Sequence, residues 1–136
     1  MASRCVLVVE DEADLVATYE RLLRRHGFRV VSAGSREAGL AALAEEPPHL
    51  LIADLRLPDG DGLDIVRAAR ALPTPTPVIV VSGFASNDSR NAALAAGASA
   101  VLAKPFSTDA FTKLIQSVLA DRSVLTPPSL PPGGSR

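Results

Sequence analysis

The chain has 136 residues, 47% hydrophobic and 21% charged, and 14 Lys and Arg against 15 Asp and Glu give a formal net charge of −1. That length fits one domain burying roughly two-thirds of its unfolded surface, and the composition excludes a disordered chain. The balanced charge excludes a globally basic surface for nucleic-acid phosphates.

The one cysteine, Cys5, has no internal partner and reads as a buried, inert thiol, which fits a reducing, cytoplasmic compartment. The apolar stretch around it runs straight into Glu10-Asp11-Glu12. That is too short for a signal peptide or a membrane span.

Five short apolar runs, at 4–10, 29–33, 50–54, 78–82 and 100–103, alternate with segments of helical period. This is the pattern of βα units feeding a parallel sheet. In the first helix Leu15, Val16, Tyr19, Leu22, Leu23 and His26 recur at helical spacing, and Gly27 ends it. Arg21, Arg24 and Arg25 read as its solvated face and last turn, where cations complement the helix dipole.

The second helix is predicted over 35–46 with Leu40 and Leu43 inward, stopped by Pro47 and Pro48. The third starts near Leu63, and Pro73, Pro75 and Pro77 then impose an extended return. The fourth, Ala-rich, is predicted over 89–96 and closed by Gly97. The fifth spans 107–120 with Phe111, Leu114, Ile115 and Val118 on one face. Domain limits are expected at 1–122, with 123–136 a Pro- and Gly-rich tail or linker.

In an open parallel sheet, ligands bind at the strand C-termini. Here those ends carry Glu10 and Asp11, Asp54, Ser82 and Lys104-Pro105. Carboxylates crowded at low dielectric repel, so a cation is needed to keep them ionised together. An all-oxygen set points to Mg²⁺, with Mn²⁺ able to substitute, and there is no His or Cys cluster for zinc. A phosphoryl group beside such a metal could be taken by Asp54 as nucleophile, with Lys104 and Ser82 stabilising its oxygens. Taken singly, each residue has a plainer reading. Asp11 could cap the first helix, Glu12 reads as a first-turn acid, and Asp59 to Gly62 read as a turn.

Together Glu10-Asp11, Asp54, Leu57-Pro58-Asp59-Gly60-Asp61-Gly62, Ser82-Gly83 and Lys104-Pro105-Phe106 resemble the receiver domains of bacterial response regulators over about 4–120. The resemblance implies a doubly wound, flavodoxin-like α/β fold with five parallel strands in the order 2-1-3-4-5 and five helices in three layers. It implies that Asp54 accepts phosphate from a phosphohistidine on a sensor histidine kinase or histidine phosphotransfer protein. Asp11 would bind Mg²⁺ directly, Glu10 through a bound water, and Arg56 through its backbone carbonyl. Lys104 would pair with the acids at rest and, with Ser82, take phosphoryl oxygens afterwards. The Lys104-Pro105 bond would be cis.

The same resemblance implies a switching surface, and a candidate homodimer face, around helix four, strand five and helix five. It implies a downstream target or an output domain beyond this chain, and no turnover enzyme beyond assisting its own phosphorylation and dephosphorylation. Two positions matter for readout and lifetime. Val101 stands where receivers carry an aromatic reporter, and Arg56 and Phe84 occupy the places that tune hydrolysis, where a bulky pair implies slow autodephosphorylation.

Three alternatives compete. A nucleotide- or flavin-binding module would need glycines where Glu10-Asp11-Glu12 stand. An aspartyl-phosphate phosphatase would place a second acid at position 56, which is Arg. A receiver-like interaction domain that is never phosphorylated would not need the full set of acids, hydroxyl and lysine.

Overall fold

The computed structural model describes residues 4–83 and 86–125, with side chains up to 120. Five strands form one parallel sheet: β1 (Cys5–Val9), β2 (Arg29–Ala33), β3 (Leu50–Asp54), β4 (Val78–Ser82) and β5 (Ala100–Ala103). Five helices follow them in turn: α1 (Ala13–Arg25), α2 (Arg36–Glu45), α3 (Leu63–Arg70), α4 (Asn87–Ala96) and α5 (Thr108–Leu125). The strand order is β2-β1-β3-β4-β5, the predicted 2-1-3-4-5.

The three central strands, CVLVV, LLIAD and VIVVS, are buried along their whole length because helices cover both sheet faces. Side chains alternate between those faces. Val6, Val8, Leu50, Ile52, Ile79 and Val81 pack with Tyr19, Leu22, Leu23, Phe111, Ile115 and Val118 of α1 and α5. Leu7, Val9, Leu51, Ala53 and Val80 pack with Leu43, Ile65, Val66, Ala69 and Ala93 of α2, α3 and α4. Cys5 is buried, and burial pushes its thiol up from the ordinary value.

Helix α2 is one residue shorter at each end than the sequence reading and α5 starts one residue later, and boundaries differ in three further places. Strand β1 is one residue shorter at each end, although Arg4 O and Glu10 N still bond to β2. Helix α4 starts two residues early, at Asn87, because Ser86 caps it by accepting the Ser89 N–H at 3.1 Å. Helix α5 continues five residues past Ala120, since nothing in 121–125 breaks a helix and the first proline is Pro127. Gly97 does close α4: its φ of +115° is the left-handed region that glycine reaches without strain. Among the described residues, no helix is long and apolar enough to cross a membrane.

Candidate phosphoacceptor site

The sheet register sets the site. Val9 pairs with Ala53, Asp54 with Val81, and Ser82 with Ala103, so Glu10, Asp54, Ser82 and Lys104 emerge at the same edge. The chain runs outward in opposite directions from β1 and β3, which opens a crevice between these strand ends. Glu10 is 2% exposed, Asp54 6% and Ser82 3%, while Asp11 lies at the surface.

Carboxylate oxygens of Glu10, Asp11 and Asp54 all lie within 4.8 Å of one another. Among the described residues this is the one convergent group of potential metal ligands. Two members are buried and the third is exposed, and all donors are hard oxygens. The set fits a Mg²⁺-like cation that keeps part of its hydration.

Lys104 reaches into the cluster from just beyond β5. Its Nζ donates to Asp54 Oδ2 at 2.8 Å and lies 3.1 Å from Glu10 Oε1 and 3.6 Å from Glu12 Oε1. Asp54 Oδ1 accepts the Arg56 N–H at 3.0 Å, and Glu10 Oε2 accepts the Glu12 N–H at 3.3 Å. The Lys104 N–H bonds Ser82 O at 2.8 Å, tying the end of β4 to the lysine, and the Lys104–Pro105 peptide is cis.

The electrostatics follow from this packing. Burial first, and then the negative charge of Asp54, push the Glu10 carboxyl up to about 7, against the opposing pull of Lys104. Burial works against the Lys104 charge, but hydrogen bonds to Asp54 and Glu10 outweigh it and hold the ammonium above its ordinary value. One cation thus serves two buried acids and falls short of balancing them.

The structure brings Glu10, Asp11, Asp54 and Lys104 together, with Ser82 buried at the neighbouring strand end. Val101 is buried in the apolar cluster with Val80, Ala93 and Ala98. Phe84 lies outside the described residues. Asp11 does not cap α1: Glu12 occupies the N-cap position, with no side-chain cap bond. Glu12 is also more than a first-turn acid, since its carboxylate joins the lysine.

Nor is 59–62 only a turn. Arg56–Leu57 and Gly60–Asp61 pair as a short antiparallel ribbon, and Asp59 accepts two backbone N–H groups from α2. The glycine of Gly62 is required by Asp54 itself, whose carbonyl oxygen a Cβ there would strike. The sequence signal for Gly62 was its place in the motif.

The family profile described as "Response regulator receiver domain" matches residues 6–116. The chain is 38% identical over 117 residues to the transcriptional regulatory protein PrrA of Mycobacterium tuberculosis, covering 86% of this chain and 50% of that protein. It therefore spans about half the length of that relative. Among solved structures, a CheY-like response regulator receiver domain from Methanospirillum hungatei superposes with a TM-score of 0.85 at 27% identity, over 90% of this chain and 98% of that one. A response regulator from Burkholderia pseudomallei, solved with a phosphorylated aspartic acid and a calcium ion, gives a TM-score of 0.75 at 25% identity over 94% of this chain and 78% of that one. With the profile match over most of its length, this chain belongs to the response-regulator receiver-domain family.

Proposed function

We propose that this receiver accepts a phosphoryl group on Asp54 from a phosphohistidine donor. The observation that carries the reading is Lys104 Nζ held 2.8 Å from Asp54 Oδ2 while also pairing with Glu10 in a buried acidic cluster. Such an ammonium is placed to screen the nucleophile from its neighbours and to meet an incoming phosphoryl oxygen.

Asp54 attacks phosphorus, the new bond is oxygen to phosphorus, and the donor's nitrogen–phosphorus bond breaks as imidazole leaves. Ser82, buried at the adjacent strand end, and Lys104 take the phosphoryl oxygens. Glu10, Asp11, Asp54 and the Arg56 carbonyl would hold Mg²⁺, with Mn²⁺ as substitute. The bound metal supplies the positive charge that lets carboxylate and phosphoryl group approach. The phosphorylated aspartate of the Burkholderia protein supports the same role for this strand-end acid.

The phosphoryl group stays on the protein, so the site acts as a switch and not as a turnover enzyme. Its donor is a sensor histidine kinase or a histidine phosphotransfer protein in the cytoplasm. Capture of phosphoryl oxygens by Lys104 and Ser82 biases the surface of α4, β5 and α5, which meets a downstream target, an output domain or a second copy. The described apolar core closes with α5, and the Pro- and Gly-rich stretch after it is a tail or a linker.

Calorimetry with Mg²⁺ and beryllofluoride tests the reading. One equivalent should bind the wild type and none Asp54→Asn; equal binding by both proteins would refute it.

A further inference from the structure

The loop between β3 and α3 carries the Arg56 carbonyl, whose position follows the path of the loop backbone. Within the loop, the Gly62 N–H bonds Leu55 O at 2.9 Å, and the Leu63 N–H bonds Asp61 Oδ1 at 2.9 Å. Its outer end is held from another element. Asp59 Oδ1 accepts the Arg36 N–H at 2.6 Å and Oδ2 the Glu37 N–H at 2.9 Å, both at the first turn of α2.

The same Arg36 reaches back with its side chain. Its Nε donates to Asp64 Oδ2 at 2.8 Å, and its Cδ lies where a Cβ on Gly60 would come within 2.6 Å. Helix α2 is in turn seated closely on β1, since a Cβ on Gly39 would lie 3.0 Å from both Val9 Cγ2 and Ile65 Cδ1. Val9 directly precedes Glu10. A short path of packed and bonded groups therefore runs from the acids after β1, through α2 and Asp59, to the loop bearing Arg56.

We propose that Asp59 is a positioning residue, which clamps the β3–α3 loop to the N-terminus of α2 and so fixes the Arg56 carbonyl relative to Glu10 and Asp11. The two backbone N–H groups that Asp59 receives, from Glu37 and then Arg36, hold its carboxyl below the ordinary value, which marks it as a charged acceptor at the positive end of a helix. The inference rests on the phosphoacceptor reading above, because it needs the loop carbonyl to serve the metal.

Helix α2 also carries its own control. Ser35 caps it by accepting the Ala38 N–H at 3.1 Å and makes no bond to the loop. Asp59→Ala and Ser35→Ala thus each remove a cap from the same helix, but only the first releases the loop.

The test is calorimetric titration of Mg²⁺ into the wild type and both variants, with urea midpoints and amide exchange at Gly62 measured in parallel. Both variants should lower the urea midpoint. Only Asp59→Ala should weaken Mg²⁺ binding, by about tenfold, the scale typical of lost support behind a metal ligand, and only it should speed exchange of the Gly62 amide.

Asp59→Asn keeps one acceptor oxygen without the charge and should weaken Mg²⁺ binding by about fivefold, less than Asp59→Ala but clearly below wild type, so it serves if the alanine variant does not fold. Mg²⁺ binding by Asp59→Ala or Asp59→Asn within twofold of wild type would overturn the clamp. So would an equal loss in Ser35→Ala. A wild type that binds no Mg²⁺ would instead sink the phosphoacceptor reading on which the clamp depends.

Discussion

Gly62 lies directly against Asp54: a Cβ on the glycine would collide with the aspartate's carbonyl oxygen and crowd the Leu55 Cα at 3.0 Å. The obstacle is backbone, which cannot rotate aside as a side-chain tip can. Gly62→Ala should therefore displace the loop after β3 and cost about 2 kcal/mol, in the range for overpacking a tight site. A urea midpoint unchanged from wild type would show that the loop yields freely.

The raised carboxyl of Glu10 sets a pH dependence of stability. Unfolded, the group ionises near its ordinary 4.5; folded, it holds its proton up to about 7. Between those values the native state binds the extra proton, so stability falls as pH rises through that window, by at most about 3 kcal/mol for one group. Urea titrations at pH 5 and pH 7.5 without divalent cation should show the loss, and saturating Mg²⁺ should shrink it. A flat profile would mean that Glu10 titrates normally.

Lys104 and a divalent cation neutralise the same carboxylates, so they compete. Lys104→Met should bind Mg²⁺ more tightly than the wild type, because the cation then faces uncompensated acids. Without metal the variant should be less stable by about 2 kcal/mol, less than for a fully buried pair because the lysine retains some solvent contact. The crossing of the two proteins' stabilities on adding Mg²⁺ is the readout. A variant weaker in both respects would argue that Lys104 helps to build the metal site.

Much of this was legible in the sequence. The three central strands show as aliphatic runs because they are covered on both faces, and an acid such as Asp54 ending one of them must have a partner. Gly97 and Ser35 mark helix ends by local chemistry that acts within a few residues. What escaped were relationships between segments distant in the chain. The carboxylate of Asp59 looks like a turn acid until the fold brings the first turn of α2 beside it. Glu12 looks like a helix-start acid until Lys104 arrives from β5. The far end of α5 was missed for a different reason: residues 121–125 lose their apolar period but contain nothing that stops a helix.

The central claim is that Asp54 takes a transferable phosphoryl group with the help of a divalent cation. Intact-mass measurement after incubation with a small-molecule phosphodonor tests it most directly. One added phosphoryl group should appear in the wild type with Mg²⁺, and none in Asp54→Asn or when the metal is chelated. An unmodified wild-type mass under saturating donor and Mg²⁺, or the same adduct on Asp54→Asn, would contradict it.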